Sequence, residues 1–315
     1  MRAISVENPG PDYTLSPIEL DPLKSHSDHI LVHIHATAVN RADLLQARGL
    51  YPPPAGASEI LGLECAGTRA DTGEPVMCLL PGGGYATQAL VHPGSIIPIP
   101  PAYSMAEAGG FMETSLTAFL NIFILGQAKK GHRVLIHGGS SGVGTMAIQL
   151  CKAAGVETVI TAGNSEKCTA CEKLGAQDSI NYKENDFLKV LGPNSVDLVL
   201  DCVGGPYLQS NLKVLKPDGR LVLIGLMGGA KSEINLGLLL GKRIQVIGST
   251  LRSLSTERKQ NIIRAFQEQF GEAMATRAIA PVVHRSFPLN QAQAAHELIQ
   301  SSQHIGKVVL TVLDN

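Results

Sequence analysis

The stretch His137-Gly138-Gly139-Ser140-Ser141-Gly142-Val143-Gly144 stands between a β-branched apolar run (133–137) and a helical pattern (143–154). Small residues at such a strand-to-helix turn let backbone N–H groups and the helix N-terminus approach an anion, so the chemistry on offer is the cradling of a pyrophosphate. Gly139 and Gly144 hold the outer positions of the G-x-G-x-x-G spacing, Ser141 stands at its middle position, and Gly142 sits beside it. The same residues also spell G-x-S-x-G (Gly138-x-Ser140-x-Gly142), the turn that exposes a nucleophilic serine in α/β-hydrolases. A hydrolase would need an acid after a later strand and a histidine near the end of the chain, for which Asp201 and either His284 or His296 are the candidates. Hydrolases place several strands before that turn, whereas here it opens the alternating half of the chain. That order, with Gly144 available for close helix–strand packing, favours a dinucleotide.

A residue about twenty positions beyond such a turn decides which dinucleotide, because an acid there holds the ribose 2′-OH and a cation accommodates a 2′-phosphate. The second strand ends Ile160-Thr161-Ala162-Gly163-Asn164-Ser165, with no acid, and Lys167 follows. Tyr182 and Lys183 come with the next strand region. An ammonium and hydroxyl donors suit a phosphate, so the cofactor expected is NADPH, held by Gly139, Ser140, Ser141, Gly142, Val143, Gly144, Gly163, Asn164, Lys167 and Tyr182. Gly225, Leu226 and Met227 leave the fifth strand of the sheet at its carboxyl end, where they are expected to give backbone contacts to the nicotinamide ribose.

These residues need a frame. From about residue 131, apolar runs (133–137, 157–161, 196–202, 220–225, 243–248) alternate with helical patterns (143–154, 165–175, 206–216, 234–241), which predicts a doubly wound parallel sheet. The first ~110 residues do not alternate. Short strands at 30–35 and 96–99 are broken by Tyr51-Pro52-Pro53-Pro54 and Pro81-Gly82-Gly83-Gly84, and the region reads as an irregular β-rich domain. Helical patterns at 256–270 and 290–300 precede a last strand at 307–312. The fold class is therefore α/β, and a length of 315 residues fits two domains.

Composition narrows the function. Lys plus Arg (26) nearly balances Asp plus Glu (27), and aromatic residues make up 4% with no Trp, which argues against a nucleic-acid or anionic-membrane partner. The 33 glycines concentrate at 138–144, 204–205, 225–229 and 82–84, as close backbone approach to a ligand would require. The six cysteines lie mostly in apolar runs and read as buried free thiols, Cys168-x-x-Cys171 included. With no apolar leader at residues 1–9 and no apolar run near the ~18 residues of a membrane span, the expected compartment is the cytoplasm.

Asn40-Arg41-Ala42-Asp43-Leu44, Arg48-Gly49-Leu50-Tyr51-Pro52, Gly62-Leu63-Glu64, Leu116-Thr117-Ala118 and Ile305-Gly306-Lys307-Val308-Val309 occur in that order along the chain. Together they resemble the quinone oxidoreductases of the medium-chain dehydrogenase/reductase superfamily. The runs 79–84 and 225–229 resemble the branch that holds the stress-inducible quinone oxidoreductases and their bacterial relatives. The resemblance implies a GroES-like substrate domain (1–113 and 253–315) around a Rossmann domain that binds NADPH (114–252). It implies reduction of quinones, often one electron at a time, by a homodimer joined through the Rossmann sheets. It also places Asn40 and Asp43 near the nicotinamide. Tyr51 is expected beside the substrate, offering a ring face and a hydroxyl donor, and Thr117 and Lys307 are expected toward the cofactor.

Zinc-dependent members of the superfamily carry Cys where this chain has Asn40, and Gly-His-Glu where it has Gly62-Leu63-Glu64. Asn and Leu cannot supply the thiolate and imidazole of a catalytic zinc, so no metal is expected. A quinone is a strong electron acceptor and can do without a Lewis acid, leaving proximity and orientation to the protein. A reductase of activated C=C bonds with the same fold is the nearest alternative, and a non-catalytic dinucleotide-binding protein a more distant one. The eleven residues 68–78 are fewer than the hairpin-bearing segment of the family, which predicts a trimmed barrel edge.

Overall fold

The computed structural model describes residues 1–24 and 27–312. The chain forms two compact units, one of 1–116 with 252–315 and one of 117–251.

In the second unit, six strands lie in the order Asp178–Asn181, Glu157–Ala162, Arg133–His137, Val196–Asp201, Leu215–Leu223, Gln245–Gly248. Every neighbouring pair is parallel. Numbered along the chain this is the order 3-2-1-4-5-6, with the switch between the first and fourth strands, where doubly wound sheets bind ligands outside the strands' carboxyl ends. The strands are continuous apolar runs because helices cover both faces, and Leu135, Val159, Val196, Val199, Leu212 and Leu221 form the core. The first connection is the helix Gly142–Ala153, the second Ser165–Leu174. The fifth strand begins at Leu215, earlier than the apolar run suggests, because Asp218 adopts a left-handed conformation (φ 64°) and carries the Pro217-Asp218-Gly219 turn along with the strand.

The first unit holds a seven-stranded sheet in which Val283–Pro288, Lys307–Thr311, Ile30–Val39, Glu64–Arg69, Pro75–Leu79 and Ile96–Pro98 follow one another, while Gln88–Val91 also pairs with Ile30–Val39. All pairings are antiparallel except that of Val283–Pro288 with Lys307–Thr311. A separate hairpin joins Arg2–Glu7 to Thr14–Glu19. The segment 68–78 still makes a hairpin: Cys65 stands opposite Cys78, and a turn held by Arg69 N–H to Glu74 C=O (3.0 Å) closes it. Short helices and strands that sequence patterning leaves unread (Arg41–Ala47, Met105–Gly109, Met112–Phe119, Val283–Pro288) sit between these strands. They are too brief to show a period.

All six cysteines are free thiols, five of them buried. Among the described residues, no helix is long and apolar enough to cross a membrane.

Candidate active site

The turn after the first strand of the second unit explains why serine stands where a glycine is usual. Ser141 is the N-cap of Gly142–Ala153, its Oγ accepting the Gly144 N–H at 3.0 Å. A Cβ on Gly144 would lie 2.4 Å from the Gly138 carbonyl oxygen, and one on Gly139 would lie 2.5 Å from Ile160 Cβ. Both positions therefore exclude any larger residue. The first-turn N–H groups of Gly142 and Val143 have no acceptor inside the helix, the arrangement that suits an anion. Ser140 is buried in the same turn.

A polar chain ties this turn to the neighbouring strands. His137 Nε2 donates to Asn211 Oδ1 (2.8 Å), so Nδ1 accepts from the Thr161 hydroxyl (3.1 Å). Asn211 Nδ2 reaches Asp201 Oδ2 (3.0 Å), and Asp201 Oδ1 accepts the Val203 N–H (2.6 Å). Burial lowers His137 to about 4, so the imidazole is neutral. Met227 N–H bonds Cys202 C=O (3.1 Å) and Gly228 N–H bonds Val203 C=O (2.8 Å), which sets the loop of Gly225, Leu226 and Met227 against the end of the fourth strand. Leu226 and Met227 are more than half exposed.

At the end of the second strand, Asn164 caps Ser165–Leu174 through the Lys167 N–H (2.9 Å). Tyr182 lies over Gly163, its hydroxyl 2.9 Å from where a Cβ would stand. Lys167 is lowered from the usual lysine value, by burial first and then by the ammonium of Lys183. Two cations that repel each other beside a phenol make a setting that a phosphate dianion would relieve, so the residues present fit the 2′-phosphate end of NADPH. Thr117 lies half-buried in Met112–Phe119, with its carbonyl taken by Asn121 Nδ2 (2.7 Å).

In the first unit a second polar cluster forms around Glu64. This residue is fully buried, and its Oε1 accepts from Lys307 Nζ and Asn40 Nδ2, both at 2.9 Å. Its Oε2 accepts the Glu113 N–H at the start of Met112–Phe119 (2.9 Å). Lys307 is 3% exposed and also donates to Asn40 Oδ1 (2.6 Å) and Val39 C=O (3.4 Å). Lys307 is thus the internal counter-ion of Glu64. Asn40 takes the N-cap position of Arg41–Ala47, with its side-chain amide turned to Glu64 and Lys307.

Asp43 is fully buried and accepts the N–H groups of Asn40 (2.7 Å) and Gly62 (3.0 Å) and the hydroxyl of Tyr85 (3.3 Å). Burial outweighs these bonds and raises its carboxyl to about 6. Behind Tyr85, His296 Nε2 stands 2.9 Å from the Tyr85 hydroxyl and Nδ1 2.8 Å from that of Tyr13. With Tyr85 donating to Asp43, its oxygen accepts from Nε2–H, and Nδ1 accepts from Tyr13. Burial lowers His296 to about 3, so it is neutral. Both nitrogens of His296 are occupied by tyrosines, and His284 is exposed.

Tyr51 is half-buried, with the Arg252 guanidinium 5.5 Å from its ring centroid. Arg252 in turn donates to Pro81 C=O (2.8 Å), Gln46 Oε1 (2.7 Å) and Tyr51 C=O (3.4 Å). One buried guanidinium thus gathers the 46–51 and 81 segments. Burial first, and then the Glu113 carboxyl, raise the Tyr51 phenol, which keeps its proton.

The zinc-binding dehydrogenase family matches residues 142–268. The chain is 28% identical to a quinone oxidoreductase of Rattus norvegicus, over 98% of this chain and 97% of that one. A crystal structure of Escherichia coli quinone oxidoreductase complexed with NADPH superposes with a TM-score of 0.87 at 27% identity, over 99% of this chain and all of that one. Over nearly its whole length the chain is similar to these quinone oxidoreductases in sequence and in fold. It is also 26% identical to a phenolphthiocerol/phthiocerol polyketide synthase of Mycobacterium tuberculosis, over 98% of this chain and 15% of that protein.

The name of the matching dehydrogenase family raises the question of zinc. Among the described residues, no three His, Cys, Asp or Glu side chains are grouped to hold a metal ion. The Lys307 ammonium already stands between Asn40 and Glu64, where a dication would meet a like charge. The residues do not fit the ion.

Glu113, Arg252 and Tyr85 escape a reading of the sequence alone, and His296 enters it only as a candidate hydrolase base. The available signal is a polar residue inside an apolar run, as in Leu61-Gly62-Leu63-Glu64-Cys65 and Ala294-Ala295-His296, but that signal does not name the partner.

Proposed function

We propose that this protein is an oxidoreductase that takes reducing equivalents from NADPH and delivers them to a quinone without a metal ion. The likeness to the Escherichia coli enzyme crystallised with NADPH supports the cofactor, together with Lys167, Lys183 and Tyr182 around Gly163. The single observation that carries the acceptor is the Lys307 ammonium seated between Asn40 and Glu64. With an ammonium in that place, an acceptor that is itself strongly electron-withdrawing suits the first unit better than one that needs a metal to polarise it.

Bound NADPH supplies a hydride at its nicotinamide. The backbone of 138–144 holds the pyrophosphate, Lys167 and Lys183 the 2′-phosphate, and the 225–227 loop the ribose beside the nicotinamide. Tyr51 offers the acceptor a ring face and a protonated hydroxyl, and Arg252 holds Tyr51 in place. Asn40 and Asp43 maintain the helix start and the Gly62 loop on which that surface is built. A compartment such as the cytoplasm, where NADPH and free thiols both persist, suits the chain.

The deciding experiment is steady-state oxidation of NADPH and NADH against benzoquinone, larger quinones and enones. The proposal expects quinones to be the best acceptors and NADPH the preferred donor. Preference for enones would favour the C=C reductase. Equal kcat/KM for NADH would refute the role given to Lys167.

We further propose a homodimer joined through the parallel sheets. Gln245–Gly248 is an edge strand, and near it Leu236 and Leu240 are 67% and 83% exposed.

A further inference from the structure

Asp201, named above as the acid a hydrolase would need, is fully buried at the end of Val196–Asp201. Its Oδ1 accepts the N–H groups of Val203 (2.6 Å) and Gly204 (3.2 Å). Its Oδ2 accepts Asn211 Nδ2 (3.0 Å) and again the Gly204 N–H (3.2 Å). Each of these contacts is with an N–H donor, so a proton on the carboxyl would face no acceptor. Burial raises Asp201 from the usual carboxylate value, and the Val203, Gly204 and Asn211 donors pull it down in part.

An acceptor at Asp201 fixes the direction of every bond beyond it. Asn211 turns its NH2 to Asp201 and its Oδ1 to His137, so His137 carries its proton on Nε2 (2.8 Å) and accepts the Thr161 hydroxyl at Nδ1 (3.1 Å). The Thr161 oxygen, its proton committed, keeps a lone pair for the Gly138 N–H (3.4 Å). Asn211, His137 and Thr161 are all buried, and the rings of Phe187 and Tyr207 pack edge-on against the imidazole, which holds it in place. The chain thus runs from the fourth strand to the first residue of the glycine turn. On the other side of Asp201, Val203 C=O takes the Gly228 N–H (2.8 Å) and Gly205 N–H bonds Gly229 C=O (2.9 Å). The residues that Asp201 holds therefore hold the 225–229 loop in turn.

We infer that Asp201 is a positioning residue for NADPH, on the reading above in which the 138–144 turn holds the pyrophosphate: one carboxylate at the switch between the first and fourth strands sets the backbone of both glycine loops, 203–205 directly and 138–144 through Asn211, His137 and Thr161. Asp201 acts through the backbone it holds rather than by touching the cofactor. A loop whose N–H groups are already aimed loses less freedom when the anion arrives, and binding is tighter by that difference.

The test uses one variant that reverses the chain and one that cuts it. Asp201→Asn keeps the shape, but with its amide oxygen on the Val203 and Gly204 N–H groups its NH2 faces Asn211, which must reverse. The His137 proton then moves to Nδ1, and the Thr161 proton loses its acceptor. Thr161→Val removes only the hydroxyl that joins His137 to Gly138. The first readout needs no cofactor: the His137 tautomer by nitrogen NMR, with the ring assigned by its loss in His137→Gln. The parent and Thr161→Val should show the Nε2–H form, and Asp201→Asn the Nδ1–H form. The second readout is the binding of NADPH and of 2′-AMP, which carries the 2′-phosphate but has no pyrophosphate to lay on the turn. Both variants should raise the dissociation constant for NADPH about 3- to 10-fold, the worth of one hydrogen bond, and leave that for 2′-AMP unchanged. Equal weakening of the two ligands would show a generally loosened unit, and an unchanged NADPH constant would show that the chain positions nothing; either overturns the inference. So does an Nδ1–H tautomer in the parent or an Nε2–H tautomer in Asp201→Asn. Gly144→Ala crowds the turn itself and checks the underlying reading separately. If that variant binds NADPH as the parent does, the turn does not hold the dinucleotide, and the positioning role falls with that reading.

Discussion

Removing the ammonium of Lys307 while leaving its partner tests the organisation of the first unit most directly. Lys307→Met keeps the side-chain length and apolar stem but deletes three donor contacts, to Glu64, Asn40 and Val39. Glu64, with no exposed surface, is then left with the Asn40 amide and the Glu113 N–H as its donors. Breaking a buried pair in this way costs about 3–5 kcal/mol, because the surviving charge has lost its compensation. For a domain of this size that corresponds to a fall in Tm of roughly 6–20 °C. Lys307→Met with Glu64→Gln should regain part of the loss, since the uncompensated charge is gone while the single amide oxygen of a glutamine can accept only one of the two remaining N–H groups, which bond different oxygens of Glu64. The assay is thermal and urea unfolding of the four proteins of the cycle, read as an interaction energy, with NADPH binding followed by fluorescence. If Lys307→Met melts within about 2 °C of the parent, a shift too small for a broken buried pair, and instead weakens NADPH binding, the lysine serves the cofactor and its pairing with Glu64 is refuted as the organising contact of the cluster.

Tyr51→Phe should lower quinone turnover by about 10-fold through loss of one hydrogen-bond donor, and Tyr51→Ala should in addition raise the quinone KM as the ring under Arg252 disappears. Unchanged kinetics in both would remove Tyr51 from the site. Lys167→Ala should raise the KM for NADPH by about 10- to 100-fold, the worth of a charge-assisted bond, and leave NADH unaffected; equal effects on both would show that Lys167 does not read the 2′-phosphate. Ser141→Ala should cost about 1 kcal/mol of stability as the cap on Gly144 N–H is lost, measurable by urea unfolding. Leu240→Asp should convert a dimer to monomers in light scattering; a mass indifferent to the change would place the interface elsewhere.

The second unit was the more legible half because its signals are local. The turn at 138–144, the apolar run before it and the helix after it lie within one stretch of chain, and each follows from backbone geometry that neighbouring residues decide. Ser141 is the instructive exception. Spacing marks it as a departure from the glycine pattern, yet in three dimensions it serves as an N-cap, a role that depends only on the residues just after it. The absence of an acid after the second strand, and the presence of Lys167, Tyr182 and Lys183, could also be read directly from the order of residues.

The cluster of the first unit could be read only in fragments. Asn40, Asp43 and Lys307 are in the sequence as parts of a family resemblance, but whether Lys307 points to a cofactor or to Glu64 depends on a contact between residues 243 positions apart. The same holds for Tyr85 and His296, 211 positions apart, and for Arg252 bridging Gln46, Tyr51 and Pro81. By itself the sequence determined the parallel sheet, the glycine-rich turn at 138–144 and the lack of zinc-ligating residue types at positions 40 and 63. The tertiary structure alone decided which buried charges neutralise one another. Propensity and periodicity act over a few residues, whereas desolvation and pairing of charge are settled by whatever the folded chain brings within about 3 Å.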